Sequence, residues 1–143
     1  MKAPEMSDAE LGEFLKGSWI AKIATTNIDG TIRITPIWYE SDGSSILMNT
    51  SEETNLVRNL KRNKNASLLI DSEPKPPSRG VHFVGEAEVD AGPCTPEEVL
   101  KLWNRYFTSQ EQARQYGQRL RNQRRVFIRF YPKKRTTFDY SKL

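Results

Sequence analysis

The sequence is dominated by short segments in which apolar and polar residues alternate. A period of two is typical of β-strands that bury one face. The first three segments, over about residues 20–26, 31–40 and 44–50, are separated by Asp29-Gly30 and Asp42-Gly43. Asp-Gly is a strong signal for a tight hairpin turn, so the amino-terminal part of the chain predicts three antiparallel strands.

Three later segments extend this pattern. They are ASLLIDSE (66–73), VHFVGEAEVD (81–90) and RVFIRFYP (125–132), and the tail RTTFDYSKL is a candidate for one more short strand. Six antiparallel strands with few helices favour a mainly β fold, a small barrel, because closure removes exposed strand edges. Pro36 predicts an edge or a bulge, and Gly85 predicts a bulge. We expect a single domain over residues 1–143.

Four N-cap residues predict helices between these strands: Ser7, Ser51, Thr95 and Thr108. A hydroxyl side chain at this position accepts a hydrogen bond from a backbone N–H of the first turn. The helix after Ser51, predicted over about residues 52–65, begins with Glu52 and Glu53. Acidic residues suit the positive end of a helix dipole.

Apolar residues occur on both faces of two predicted strands, at residues 37–39 and 68–70. A barrel monomer has only one interior, so the second apolar face needs another surface to bury it. The simplest such surface is a second copy of the chain, and we therefore expect a two-fold homodimer.

Composition and rare residues limit the classes of function. Hydrophobic residues make up 36% of the chain and charged residues 28%. No apolar run approaches the ~20 residues of a membrane span, and the amino terminus lacks the apolar stretch of a signal peptide, so we expect a cytoplasmic protein. Cys94 and His82 are the only cysteine and histidine. One cysteine excludes an internal disulfide and a cysteine-based metal cluster, and we expect no metal site.

Positive charge is concentrated at the carboxyl end. Residues 101–143 contain twelve Lys/Arg against Glu111 and Asp139, although the whole chain has a net charge of only +4. Such asymmetry suggests a solvated face or an anionic partner, which would be a phosphorylated cofactor, an acidic face of a second subunit, or nucleic acid. Nucleic acid is the least favoured, because the segment lacks a glycine-rich or aromatic stacking pattern beyond Tyr106, Phe107 and Tyr116.

Several strings of residues resemble a known family. They are IAKIATTNIDGTIRITPIWYE, ILMNTSEETNLVRNLKRNKNASLLID, VHFVGEAEV and the ending RVFIRFYPKKRTTFDYSKL. The chain resembles the split β-barrel flavin-binding proteins related to pyridoxamine 5′-phosphate oxidase, and most of all the branch with deazaflavin-dependent reductases. The resemblance implies a homodimer with FMN or the deazaflavin coenzyme F420 at the subunit interface. It also implies hydride transfer to or from a small organic substrate, carried out by the cofactor.

The resemblance also implies where the cofactor lies. The flavin ring would lie along residues 35–38 and 48–50, and the phosphate at the turn and helix over residues 51–58. Trp38, Tyr39 and Trp103 would line the substrate side of the ring, or else serve as ordinary packing. The predicted cofactor-binding residues are Arg33, Thr35, Pro36, Ile37, Trp38, Asn49, Thr50, Ser51, Thr54, Asn55 and Arg58. No catalytic residue is assigned.

The phosphate turn departs from the family pattern. Leu56 stands where tightly binding members usually place a lysine, and loss of a charge-assisted hydrogen bond costs about 1.5–3 kcal/mol. Glu52 and Glu53 add local repulsion. Arg33, or the basic carboxyl-terminal segment of a partner subunit, would have to compensate. The alternative is a non-catalytic binding protein on the same barrel, holding haem through His82, another planar ligand, or none.

On this assignment, Arg58→Ala weakens cofactor binding at least about tenfold, because it removes a bidentate contact to phosphate. Equilibrium titration of the variant measures this effect, with circular dichroism to establish that the fold is unchanged. Unchanged affinity in a folded variant would remove Arg58 from the site.

Overall fold

A computed structural model describes residues 2–143, and its centre is one curled antiparallel sheet of seven strands. The strands are β1 (Ala21–Thr26), β2 (Ile32–Ile37), β3 (Tyr39–Ser41), β4 (Ile46–Ser51), β5 (Asn65–Asp71), β6 (Arg79–Val89) and β7 (Arg125–Asp139). The helices are α1 (Asp8–Leu15), α2 (Asn55–Arg62), α3 (Pro96–Trp103) and α4 (Gln110–Leu120), with 3₁₀ turns at Asn104–Tyr106 and Tyr140–Lys142. Within this range no helix is long and apolar enough to cross a bilayer.

The sheet has seven strands rather than the predicted six, because the second predicted strand is divided at Trp38. The strand order is β2-β1-β5-β6-β7-β4-β3. β2 pairs with β1 and β3 pairs with β4, so two segments separated by one residue lie at opposite edges of the sheet. The chain can connect both edges only if the sheet curls, which makes it a split barrel. Pro36 lies on the edge strand β2, as predicted.

β7 continues through Pro132, so the predicted tail strand is not separate from the sixth. The pairing of β6 with β7 shifts register between Val84 and Gly85, which confirms the predicted bulge. A side chain at residue 85 would lie 2.1 Å from the carbonyl oxygen of Tyr131. Glycine therefore lets the two backbones approach closely at this bend.

The interior of the barrel is filled from the strands and from two helices that cover its ends. α1 contributes Leu11, Phe14 and Leu15, and α2 contributes Leu56 and Leu60. A second, smaller core lies under α3 and α4 and is built on Val99, Leu102, Trp103 and Leu120. Trp38 packs against this second core, so its apolar side chain is covered by the helices of its own chain.

Two helix starts differ from the prediction. α2 is capped by Thr54, whose Oγ1 accepts a hydrogen bond from the Val57 N–H at 3.3 Å, because Ser51 is still the last residue of β4. α4 is capped by Ser109 rather than Thr108. The capping boxes at Ser7 and Thr95 are confirmed.

An apolar patch lies on the outer face of the sheet. Ile32 and Ile34 point away from the interior and are 63% and 68% exposed, and Val84 of β6 is 42% exposed. Leu69, on the same outer face of β5, is half-buried. Of residues 68–70, only Leu69 is on this face, between Lys22 and His82 on the neighbouring strands, so the exposed apolar surface is mainly that of Ile32, Ile34 and Val84.

The bulge at Gly85 can be tested by one substitution. Gly85→Ala forces a methyl group against the Tyr131 carbonyl, and overpacking of this kind costs about 1–3 kcal/mol. Gly12→Ala is the matched control, since Gly12 lies inside α1 with open space around it and alanine there stabilises by about 0.5–1 kcal/mol. Urea unfolding of both variants measures the two effects. A Gly85→Ala variant that is as stable as the wild type would contradict the close approach at residue 85.

Candidate cofactor groove

A groove of about 400 Å³ lies where β2 and β4 separate. β3 pairs with β4 only as far as Met48, so Asn49 and Thr50 have a strand partner only in β7. β2 in turn pairs only with β1. Both strands therefore present an unpaired backbone edge to the groove. Its volume lies within the range of about 300–1,000 Å³ that is usual for small-molecule pockets.

The groove brings together the whole predicted ring-binding segment of β2 and most of that on β4. The lining residues are Ile20, Thr35, Pro36, Ile37, Trp38, Asn49, Thr50, Trp103, Tyr116 and Arg125. The predicted residues 35–38, 49 and 50 are thus on one surface, although they come from two strands that are not hydrogen-bonded to each other.

A larger cleft of about 600 Å³ lies beside α1, at the β3–β4 turn and the middle of β7. Of its basic residues, Lys133 and Arg135 are paired with Glu86 and Asp8, while Lys134 is in no ion pair among residues 2–143. None of the predicted site residues lines this cleft. Volume alone therefore does not identify the functional site, and the chemistry favours the groove.

One wall of the groove is aromatic and rigid. The Trp38 indole stacks on Tyr106 with ring centroids 4.6 Å apart and 7° between the planes. Trp103 meets Trp38 edge-on at 5.2 Å. The Tyr106 hydroxyl donates to the Trp19 carbonyl at 2.6 Å, which fixes the stack to the barrel. Trp38 and Trp103 therefore both pack and line the groove.

Tyr39 does not belong to this wall. Its side chain is fully buried, and its hydroxyl donates to the Leu15 carbonyl at 2.9 Å. Burial raises the pKa of this phenol. The Arg105 guanidinium lies 4.7 Å from the ring centroid. Of the two roles considered for Tyr39, ordinary packing is the correct one.

A guanidinium that the sequence did not single out lies at one end of the groove. Arg125 Nε donates to Asn49 Oδ1 at 2.9 Å, and Asn49 Nδ2 donates to Cys94 Sγ at 3.1 Å. The guanidinium carbon lies 5.1 Å from the centroid of the Trp103 ring. Burial lowers the pKa of Arg125, but a guanidinium remains charged at neutral pH.

The cross-strand partner of Arg125 shows where its side chain lies relative to the predicted phosphate turn. It lies opposite Ser51 in the β4–β7 ladder, which places it where β4 enters the turn before α2. In the sequence it is one of twelve cations in a basic segment. Only the pairing of strands 74 residues apart distinguishes it from the others.

The predicted phosphate residues lie beside the groove rather than in it. The Thr54 hydroxyl donates to the Ser51 carbonyl at 3.1 Å and also caps α2. Asn55 Oδ1 accepts from Arg58 Nη1 at 3.1 Å, and both residues are exposed. Arg33 is exposed on β2, opposite Thr25. Their contribution to phosphate binding stays a prediction.

Two features of the turn bear on the sequence interpretation, and the first, the burial of Leu56, agrees with the apolar stripe that Leu56, Val57 and Leu60 form in the predicted helix. Leu56 is 2% exposed and packs in the barrel core, so residue 56 points inward. Glu52 is neutralised, because its Oε2 accepts from Arg124 Nε at 2.9 Å. Because α2 begins at Asn55, neither Glu52 nor Glu53 lies in its first turn. The predicted repulsion at Glu52 is therefore offset within the chain.

The charge asymmetry has an explanation within the chain. Basic residues after position 100 pair with acidic residues before it: Arg124 with Glu52, Arg129 with Asp90, Lys133 with Glu86, Arg135 with Asp8, and Lys142 with Glu10. Much of the basic segment is thus matched by its own chain. Whether the remaining basic residues bind nucleic acid stays untested, and its absence as a partner stays a prediction.

His82 lies on β6, which borders neither β2 nor β4 in the sheet. It is exposed on the outer face of β6, opposite Leu69 on β5 and Thr136 on β7. It is not among the groove-lining residues. The structure therefore does not place His82 among the residues that would contact a ligand in this groove.

Comparisons with known proteins agree with this architecture. A family model described as pyridoxamine 5'-phosphate oxidase matches residues 7–138, while no curated protein matches the chain. Among solved structures, the conserved hypothetical protein Rv2991 from Mycobacterium tuberculosis is 27% identical, with a TM-score of 0.76 over 99% of this chain and 92% of that one.

Two more distant structures share the fold. An F420 reductase is 23% identical, with a TM-score of 0.67 over 93% of this chain and 98% of that one. The heme storage protein HutZ from Vibrio cholerae is 15% identical, with a TM-score of 0.67 over 91% and 92%. The family match covers most of the sequence, and the chain therefore belongs to the pyridoxamine 5′-phosphate oxidase family.

Proposed function

We propose that the protein is a flavin- or deazaflavin-dependent oxidoreductase that transfers a hydride to or from a small organic substrate, with FMN or F420 bound in the groove between β2 and β4. The observation that carries this proposal is the juxtaposition of residues 35–38 with Asn49 and Thr50 across the groove. These are the segments that the family resemblance assigns to the flavin ring.

The groove suits a planar ring with polar edges. Ile37 and Trp38 offer apolar surface, while the unpaired backbone edges of β2 and β4 offer N–H and C=O groups. The indole N–H of Trp103 is buried and has no hydrogen-bond partner among residues 2–143. Because this nitrogen is buried, it is not counted among the groups that would hold a ligand in the groove.

The cofactor would supply the hydride chemistry when bound. The residues of the chain would hold and orient it. Trp38 and Trp103 would exclude water from one face, because their rings are fixed in the second core. The absence of an assigned acid–base pair is consistent with this division, since the protein contributes binding, orientation and electrostatics in such enzymes.

We propose further that a two-fold homodimer buries the outer patch and completes the groove. Ile32 and Ile34 are exposed on an edge strand, and a long apolar edge left uncovered is prone to aggregation. The rim of the groove at Ile20 and Pro36 is also exposed. A second subunit placed against β2 would cover both features.

The dimer is tested by Ile34→Glu, which places a charge in the centre of this patch and should give a monomer of 16.5 kDa by light scattering. Gln118→Glu is the control, because it adds the same charge at an exposed position of α4 and should leave the dimer intact. A wild-type protein that is monomeric at every concentration would contradict the homodimer.

Cofactor binding is tested by titrating the protein with FMN and with F420. Thr50→Phe should fill the groove and weaken binding at least about tenfold, since the ligand would lose its space and contacts. Ser44→Phe, at the exposed β3–β4 turn, should bind as the wild type does.

The spectrum separates the proposal from its alternative. Bound oxidised flavin absorbs near ~450 nm and haem gives a sharp band near ~400 nm, as the chemistry of the two groups implies. Wild-type protein that binds haem, or binds neither FMN nor F420, would contradict the oxidoreductase and favour the non-catalytic binding protein.

A further inference from the structure

Arg125 is a cation without an acidic partner in the described chain. The neighbouring Arg124 and Arg129 pair with Glu52 and Asp90. No carboxylate of residues 2–143 lies within 4 Å of the Arg125 guanidinium, although that side chain is partly buried and lines the groove. Removing a charge from water is costly unless another group compensates it, so this arrangement calls for a ligand.

The guanidinium is held in a fixed orientation. Nε donates to Asn49 Oδ1 at 2.9 Å and Nη1 to Gln123 Oε1 at 2.8 Å, while Nη2 makes only a long contact of 3.5 Å to the Asn49 carbonyl. Trp103 lies against the guanidinium. Because arginine has five N–H donors in a planar fork, about two remain for another acceptor.

Asn49 holds the Arg125 side chain in place. It is 2% exposed, and its Nδ2 donates to Cys94 Sγ at 3.1 Å, which leaves its oxygen turned toward Arg125. Cys94 is itself attached to the start of β7, because its N–H donates to the Arg125 carbonyl at 2.9 Å. The arginine is therefore oriented before any ligand arrives, which lowers the entropic cost of binding.

Arg125 lies close to the turn in which the family resemblance leads one to expect a lysine at residue 56. Residue 56 points into the core and Arg58 is tied to Asn55 in solvent, so α2 supplies no cation to the groove itself. Arg125 lies opposite Ser51, at the start of the same turn, on the strand that borders β4.

We propose that Arg125 is the anion-binding residue of the groove and that it takes an oxyanion, the phosphate of the cofactor, through a bidentate contact. On this proposal, the first residue of β7 supplies the positive charge that the family resemblance places on helix α2. Planar forks of this kind match phosphate and carboxylate oxygens. The identity of the anion as the cofactor phosphate rests on the proposed function, whereas the presence of an anion site does not.

The anion site is tested first without any flavin. Thermal unfolding is followed in inorganic phosphate and in chloride at equal ionic strength, for wild type, Arg125→Ala and Arg121→Ala. Arg121 is an exposed arginine at the end of α4 and controls for loss of charge. Phosphate should raise the melting temperature of wild type and Arg121→Ala by more than that of Arg125→Ala, because its general salt effect is shared by all three proteins and only binding to the native state adds to it.

The source of the anion is tested by comparing FMN with riboflavin, which lacks the phosphate, and F420 with its phosphate-free chromophore precursor. Wild type should bind the phosphorylated member of one pair at least about tenfold more tightly. Arg125→Ala should lose this preference, and Arg125→Lys should keep part of it. Because each preference is a ratio within one variant, partial misfolding does not imitate the result.

The outcomes are distinct. If Arg125→Ala keeps both the phosphate effect and the preference, or wild type has neither, the anion site is wrong. If wild type responds to phosphate through Arg125 but binds no flavin or deazaflavin, the anion site stands and the proposed function fails. If Arg125→Ala weakens riboflavin and FMN equally, Arg125 only supports the groove, and its assignment to the phosphate is wrong.

Discussion

The bend at Trp38 is the constraint on which the rest of the structure depends. It divides one run of extended chain between the two edges of the sheet, and this division forces the sheet to curl. The Trp38 side chain is held by stacking on Tyr106 and by the edge of Trp103, so the bend is fixed by packing of α3 and the turn after it. β2 pairs only with β1, and β4 has no strand partner other than β7 after Met48. The groove is therefore a direct consequence of how the barrel closes.

A second consequence is electrostatic. β7 pairs with the whole of β4 on one side and with β6 on the other. These pairings bring the basic segment close to acidic residues of the first hundred. Arg124 and Arg129 form ion pairs with Glu52 and Asp90. Arg125, which lies between them in sequence and lines the groove, instead donates to the neutral amide oxygen of Asn49. A neutral partner fixes a guanidinium without cancelling its charge. The groove therefore keeps one oriented positive charge at the end nearest the turn before α2.

Local patterns predicted much of this fold, because strands, caps and bulges are encoded by neighbouring residues. The hairpin at Gly30, the bulge at Gly85 and the cap at Thr95 are all present. Long-range packing decided the rest. Nothing local marks Trp38 as the end of a strand, since the apolar run Ile37-Trp38-Tyr39 also suits a continuous strand that is buried on both faces. The burial of Leu56 follows from the apolar stripe that it forms with Val57 and Leu60, but nothing local sets Arg125 beside Asn49, because that contact depends on the pairing of β7 with a distant strand. The family resemblance supplied the segments that we propose for the flavin ring, whereas the position of Arg125 could not be predicted, because it depends on these long-range contacts.

The most direct test of the account is a crystal structure of the protein prepared with FMN and with F420. We expect electron density for a planar ring between residues 35–38, at the end of β2 and the bend after it, and residues 49–50 of β4, with phosphate oxygens within hydrogen-bonding distance, about 2.7–3.2 Å, of the Arg125 guanidinium. Density for either cofactor in the cleft beside α1, or an unaltered groove in crystals saturated with both, would contradict it.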